Sequence, residues 1–176
     1  MPERFQPLQA SAIAEQFAAE GVDYLFLGKS GAILLGFPGI TQDVDLFPKK
    51  SEENSRRIIA ALEKLGFGLN DLMRADILRG KDFVQIKTGP FPLDLVFAPD
   101  GIENYDDARR RCIVHEGFPV ASLDDIIASK RASAREKDLI DLPLLEDFKQ
   151  AYERQNPRPL RNAWEINRGE NSDEKK

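Results

Sequence analysis

The spacing of apolar residues lays out the chain before any motif is considered. From Leu8 to Glu20, Leu8, Ile13, Phe17 and neighbouring alanines recur at helical spacing, which predicts an amphipathic helix stopped by Gly21. Tyr24 to Leu27 is a short unbroken apolar run and predicts a buried strand. Ser30 to Leu35 predicts a short helix ended by Gly36 and Pro38, and Asp43 to Phe47 predicts a second strand. Ser51 then caps a helix reaching about Leu65, with Ile58, Ile59, Leu62 and Leu65 as its inward stripe and Gly66 at its end. Three strand-like pieces follow, Ala75–Leu78, Phe83–Lys87 and Leu93–Phe97, separated by turn residues around Gly80 and at Gly89-Pro90. Arg111 to Val114 reads as a further strand. Ser122 begins a helix through about Ala134, and another spans roughly Glu136 to Tyr152. Helices and strands mixed around a hairpin-like middle predict an α+β fold rather than a wound parallel sheet. Periodicity fades at the end, which predicts one domain over residues 1–155 and a flexible tail over residues 156–176.

Composition narrows the chemistry. The chain of 176 residues is 41% hydrophobic and 31% charged, as in ordinary globular proteins. No apolar run approaches the length of a membrane span, and the N-terminal residues lack a signal-peptide core, so the expectation is a cytoplasmic protein with no membrane partner. Cys112 is the sole cysteine and His115 the sole histidine, which leaves no cysteine-based zinc site and argues against zinc sites and catalytic triads generally. A net charge of −5 argues against broad nonspecific nucleic-acid binding.

Carboxylates carry the chemistry that remains. Asp43 and Asp45 are two apart on the second expected strand, so their side chains leave one face, near enough to share a cation. Such a pair otherwise belongs to a wet edge strand. Asp94 stands alone among apolar neighbours, where a charge must be solvated, paired or metal-bound. Lys87 or an arginine is the alternative partner. Three acids on adjacent strands are what a two-metal phosphoryl-transfer site needs, and hard oxygen ligands suit Mg²⁺, with Mn²⁺ as a substitute. Gly28, Lys29, Ser30 and Gly31 form a turn into a helix, which can present backbone N–H groups to an anion. The Gly-Lys-Ser triplet is not a Walker A loop, because Asp23 stands where that motif needs its first glycine. Lys130, Arg131, Arg135 and Lys137 make a cation-rich stretch, either a solvated helix face or a phosphate clamp.

A glycine turn, a short helix, Gly36, Pro38, Thr41, then Asp43 and Asp45 together resemble the nucleotidyltransferase superfamily with the DNA polymerase β-type palm. The likeness is greatest to the minimal and AbiEii-like, toxin-associated members. The Lys137-Asp138 pair with Asp141 is similar to that family's second motif. The resemblance covers roughly Tyr24 to Glu146. It implies a palm-like mixed sheet flanked by helices, with a helical C-terminal portion. It also implies transfer of a nucleoside monophosphate from a nucleoside triphosphate to an acceptor hydroxyl, with release of pyrophosphate. Asp43, Asp45 and Asp94 become the implied metal ligands and catalytic residues, and Gly28, Lys29, Ser30, Thr41 and Lys130 the implied nucleotide contacts. The acceptor is left open among RNA, a protein and a small molecule, and a partner protein fits a toxin–antitoxin setting. Three positions depart from the family pattern: Lys29 replaces a glycine or serine, Leu35 a histidine and Gly39 an arginine. They keep a second expectation in view, a catalytically degenerate binding module such as an antitoxin-like component.

Overall fold

All four side chains of β1 (Tyr24–Leu27) are buried, so this strand must be covered on both faces and flanked by other strands. The computed structural model, which describes residues 4–157, places it between β2 (Val44–Pro48) and β6 (Phe118–Val120). With β3 (Phe83–Ile86), β4 (Leu93–Val96) and β5 (Ile113–His115), the sheet has six strands in the order β3–β4–β2–β1–β6–β5. β2 runs antiparallel to β1 but parallel to β4, and β1 runs parallel to β6. The two outer pairs are antiparallel, so the sheet is mixed and the fold is α+β.

Helices gather in two groups. α1 (Pro7–Glu20), α3 (Glu52–Lys64) and α4 (Asp71–Leu78) pack among themselves. α2 (Gly28–Leu34), α6 (Leu123–Ser133) and α7 (Glu136–Gln155) form the second group, against the sheet face that carries Asp45 and Asp94. α5 (Tyr105–Arg111) links β4 to β5. Polar caps start several of these helices where the sequence supplies them. Ser51, Asn70, Asn104 and Ser122 each accept from a backbone N–H in the first turn that follows.

Three expectations are corrected. Ala75–Leu78 is the second half of α4, not a strand. Asn70 Oδ1 accepts from Met73 N at 2.8 Å and nucleates the helix, and Arg74 ties it to Glu63 of α3. Arg111 ends α5 rather than opening a strand, because Asn104 caps a helix that the three arginines complete at its C-terminus. Strand β5 begins at Ile113 and returns as β6, a strand the periodicity did not reveal. The connecting Glu116 and Gly117 both take positive φ (51° and 85°), the geometry of a tight hairpin turn. The tail expected from residue 156 lies, beyond Pro157, outside the described residues.

Asn54, buried at the start of α3, fixes where β1 and β2 sit relative to that helix. It accepts from Asp23 N (2.9 Å) and donates to the carbonyls of Asp23 (3.0 Å) and Lys49 (2.8 Å). Asn54→Ala leaves these backbone groups without their partner and is expected to cost about 2 kcal/mol, read from urea denaturation.

Candidate active site

Sheet register brings the acids together. On adjacent parallel strands, Asp45 lies directly beside Asp94, and the same row continues to Leu27 on one side and Gln85 on the other. Asp43, two residues before Asp45, leaves the same side just before β2 begins. All three carboxyls line one cleft of about 710 Å³, which also receives Gly28, Lys29, Thr41 and Lys130. Asp94 is 94% buried (6% exposed), and its Oδ1 has no hydrogen-bond partner. Neither Lys87 nor an arginine pairs with it among the described residues.

Burial pushes the Asp45 carboxyl up to about 7, and the adjoining Asp94 carboxylate adds to the shift, while Lys130 partly offsets it. Burial likewise raises Asp94, with the Asp43 charge as the next cause. A proton on Asp45 would lie within hydrogen-bonding reach of Asp94, which favours one proton held between the two.

The turn after β1 makes room for this pair. Gly28 sits at φ +63°, and a Cβ there would lie 2.2 Å from Asp45 Oδ2. Glycine is thus required by both backbone and space. Ser30 stands behind the site. It is fully buried, accepts from Asp45 N (3.1 Å) and donates to Leu27 O (3.0 Å). Its hydroxyl is committed to bracing β2 against α2, and Ser30 does not line the cleft. The side chain expected at the nucleotide faces the backbone of β1 and β2.

Cations come from the helical side. Lys29 Nζ reaches Asp141 Oδ1 at 3.2 Å, and Lys130 Nζ lies 3.3 Å from Asp138 Oδ1 and 3.9 Å from Asp141 Oδ2. α6 and α7 are not one continuous helix. Ala134 turns left-handed (φ 49°) and ends α6, so Lys130 and Lys137 reach the cleft from two helices instead of sharing one face. Asp138 holds the corner. It is fully buried and accepts from Ser133 (2.7 Å), Arg135 (2.8 Å) and Lys130. Burial opposes its charge, but the hydrogen bonds from Arg135 and Ser133 and the Lys130 ammonium outweigh that and hold its carboxyl well below the usual range. Arg135, Lys137, Ser133 and Asp141 also line the cleft. The Lys-Asp-x-x-Asp pattern and the break expected between the two helices after Ala134 were the signals for this corner.

The unusual Lys29 has a structural counterpart. Its stem crosses Gly39, where a Cβ would lie 2.9 Å from Lys29 Cε and 2.6 Å from the Phe37 ring. Leu35, the third departure, is buried in the core.

The carboxyls have the right donor chemistry for a hard divalent cation. Among the described residues no three acidic, histidine or cysteine side chains stand close enough to make a ready-formed metal cage. Mg²⁺ does not need one, since one or two carboxylates plus substrate phosphates are its usual protein-side ligands. The unpartnered Asp94 oxygen beside Asp45 fits such a cation.

No family model matches the chain, and no curated protein matches it. Among solved structures it is similar to the lincosamide antibiotic adenylyltransferase LnuA with lincomycin bound. Identity is 14% and the TM-score 0.55, over 82% of this chain and 98% of that one. At that identity the likeness is one of fold alone, an α+β fold shared with that adenylyltransferase. Among the described residues, no helix is long and apolar enough to cross a membrane.

Two outcomes follow from the packing. A carboxyl raised in the folded state stabilises the fold at low pH and loses that contribution as pH climbs from its unfolded value, near 4, through the raised one. Without divalent cation, the wild-type melting temperature should therefore carry a downward component between those pH values. Asp94→Asn, whose amide can donate to Asp45, should flatten it and melt no lower than wild type at pH 8. Gly28→Ala should lose about 2 kcal/mol in chemical denaturation, from the left-handed backbone and the collision with Asp45.

Proposed function

We propose that the protein is a metal-dependent nucleotidyltransferase that moves a nucleoside monophosphate from a nucleoside triphosphate to an acceptor hydroxyl and releases pyrophosphate. The observation that carries this reading is the Asp45–Asp94 pair at the bottom of a cleft whose opposite wall bears Lys29 and Lys130. Acids on one wall and cations on the other suit a reaction made almost wholly of positioning and charge neutralisation.

Asp43, Asp45 and Asp94 would hold Mg²⁺, or Mn²⁺ in its place. When bound, the cation offsets charge on the phosphates and on the carboxylates. Lys29 and Lys130 bind the triphosphate oxygens, exchanging Asp141 for phosphate as their anion. Asp138 keeps Lys130 aimed at the cleft throughout, since its other hydrogen bonds hold it in place. Gly28 lets the backbone approach Asp45 closely. Asp94, raised by its buried setting, accepts the proton of the acceptor hydroxyl. The structural neighbour is an adenylyltransferase with an antibiotic bound, so adenylyl transfer to a small molecule is the first form of the reaction to test.

One observation favours the rival reading of a degenerate binding module. Asp141 already satisfies Lys29, so that cation is neutralised without any nucleotide. The two readings part on one substitution. Asp45→Asn keeps shape and removes a charge, so under the enzymatic reading label from an α-labelled triphosphate no longer reaches any acceptor, while the metal-free melting temperature holds or rises. Undiminished transfer by Asp45→Asn would falsify the catalytic assignment. A lower melting temperature for this variant, with no transfer by wild type, would favour the binding module.

A further inference from the structure

The acids of the cleft extend beyond the three at its centre. Past Asp94, the lining continues along β3 and the end of β4 to Asp82 and Asp100. Both are exposed, and neither makes an ion pair among the described residues. Lys81, the nearest cation in sequence, is turned away to Asp76 at 3.7 Å. Between these acids and Asp94 lies a strip of strand surface. Phe83 stands opposite Val96 in the register and Gln85 opposite Asp94. Phe83 is 49% exposed, although β3 is an edge strand whose alternate side chains, Val84 and Ile86, are buried. The inward-facing Asp94 keeps an oxygen with no partner at the head of this strip.

This end of the cleft is the opposite of a phosphate site. The lysines lie on α2, α6 and α7, and the triphosphate belongs on that wall. What remains for the acceptor is an aromatic ring, an amide and two unpaired carboxylates. Carboxylates and an exposed aromatic face both attract an ammonium group, and the amide suits a hydroxyl. A polyanion such as RNA would instead bring its phosphates against Asp82 and Asp100, on a chain of net charge −5.

We propose that the acceptor is a small hydroxylated amine, lying on the Phe83–Gln85 strip with its ammonium groups at Asp82 and Asp100 and its reacting hydroxyl at Asp94. This rests on the nucleotidyl-transfer reading of the same cleft. The acceptor oxygen forms a bond to the α-phosphorus as the bond from that phosphorus to the α,β-bridging oxygen breaks. The bridging oxygen leaves with the electron pair as part of pyrophosphate, and the hydroxyl proton passes to Asp94. No atom changes oxidation state.

Two measurements test it. In calorimetric titration without metal, kanamycin, lincomycin and glucosamine serve as cationic probes and glucose as the neutral one. At least one cationic probe should bind, more weakly as salt rises, and glucose should not. The D82N/D100N double variant, which keeps the shape of both exposed side chains, should weaken that binding about tenfold or more. Phe83→Ala should weaken it too. Equal affinity of wild type and D82N/D100N, or no cationic probe binding at all, overturns the proposal. The second measurement follows label from α-labelled ATP with Mg²⁺ into the same compounds and into a short RNA. Transfer to a cationic probe, with a higher KM in D82N/D100N and little change in triphosphate affinity, supports it. Transfer to RNA or glucose in preference overturns this inference and leaves the nucleotidyltransferase reading standing. Absence of any Mg²⁺-dependent triphosphate binding overturns that reading and this one with it.

Discussion

Backbone pairing between β2 and β4 holds the carboxyls of Asp45 and Asp94 side by side, and like charges so placed repel unless a proton or cation stands between them. Much of the local structure reads as accommodation of that pair. Gly28 gives up a side chain so that Asp45 can lie against the backbone. Ser30 locks the Asp45 amide to the end of β1. Lys130 is near enough to lower the Asp45 carboxyl against its burial. A protein selected for stability alone would fill such a position with an apolar residue, as it does at Leu46 and Leu95 on the other face.

The helical wall solves a different problem. Lysines are long and lose considerable rotamer entropy when fixed, so aiming them at one cleft requires partners. Asp138 and Asp141 supply these from the first two turns of α7. The left-handed Ala134 is what allows α6 and α7 to fold back so that a residue of one helix pins a residue of the other. The charged network is strongest where it is most buried, at Asp138. The surface pairs elsewhere, such as Arg56 with Glu52, are exposed on both sides and contribute little.

Much of this was legible in the chain. Strand parity put Asp43 and Asp45 on one side, and the isolated acid in an apolar run marked Asp94 as a neighbour. Caps at Ser51 and Ser122 gave two helix starts to the residue. The failures have local causes. Ala75–Leu78 was judged by its apolar content without the cap at Asn70, and β6 carries a proline that weakens any strand signal. Ser30 was expected at the ligand from the family resemblance and its place in the glycine turn, but only the folded structure shows that its hydroxyl accepts from the Asp45 amide. Asp82, Gln85 and Asp100 drew no notice, since an exposed acid or amide in a loop or edge strand has no one-dimensional signature.

Lys29 and Gly39 are separated by a helix and a loop, yet the stem of one lies across the bare backbone of the other. A side chain at position 39 would have to displace the Lys29 stem or the Phe37 ring. The path of the cation across the cleft wall thus depends on a loop residue that carries no side chain at all.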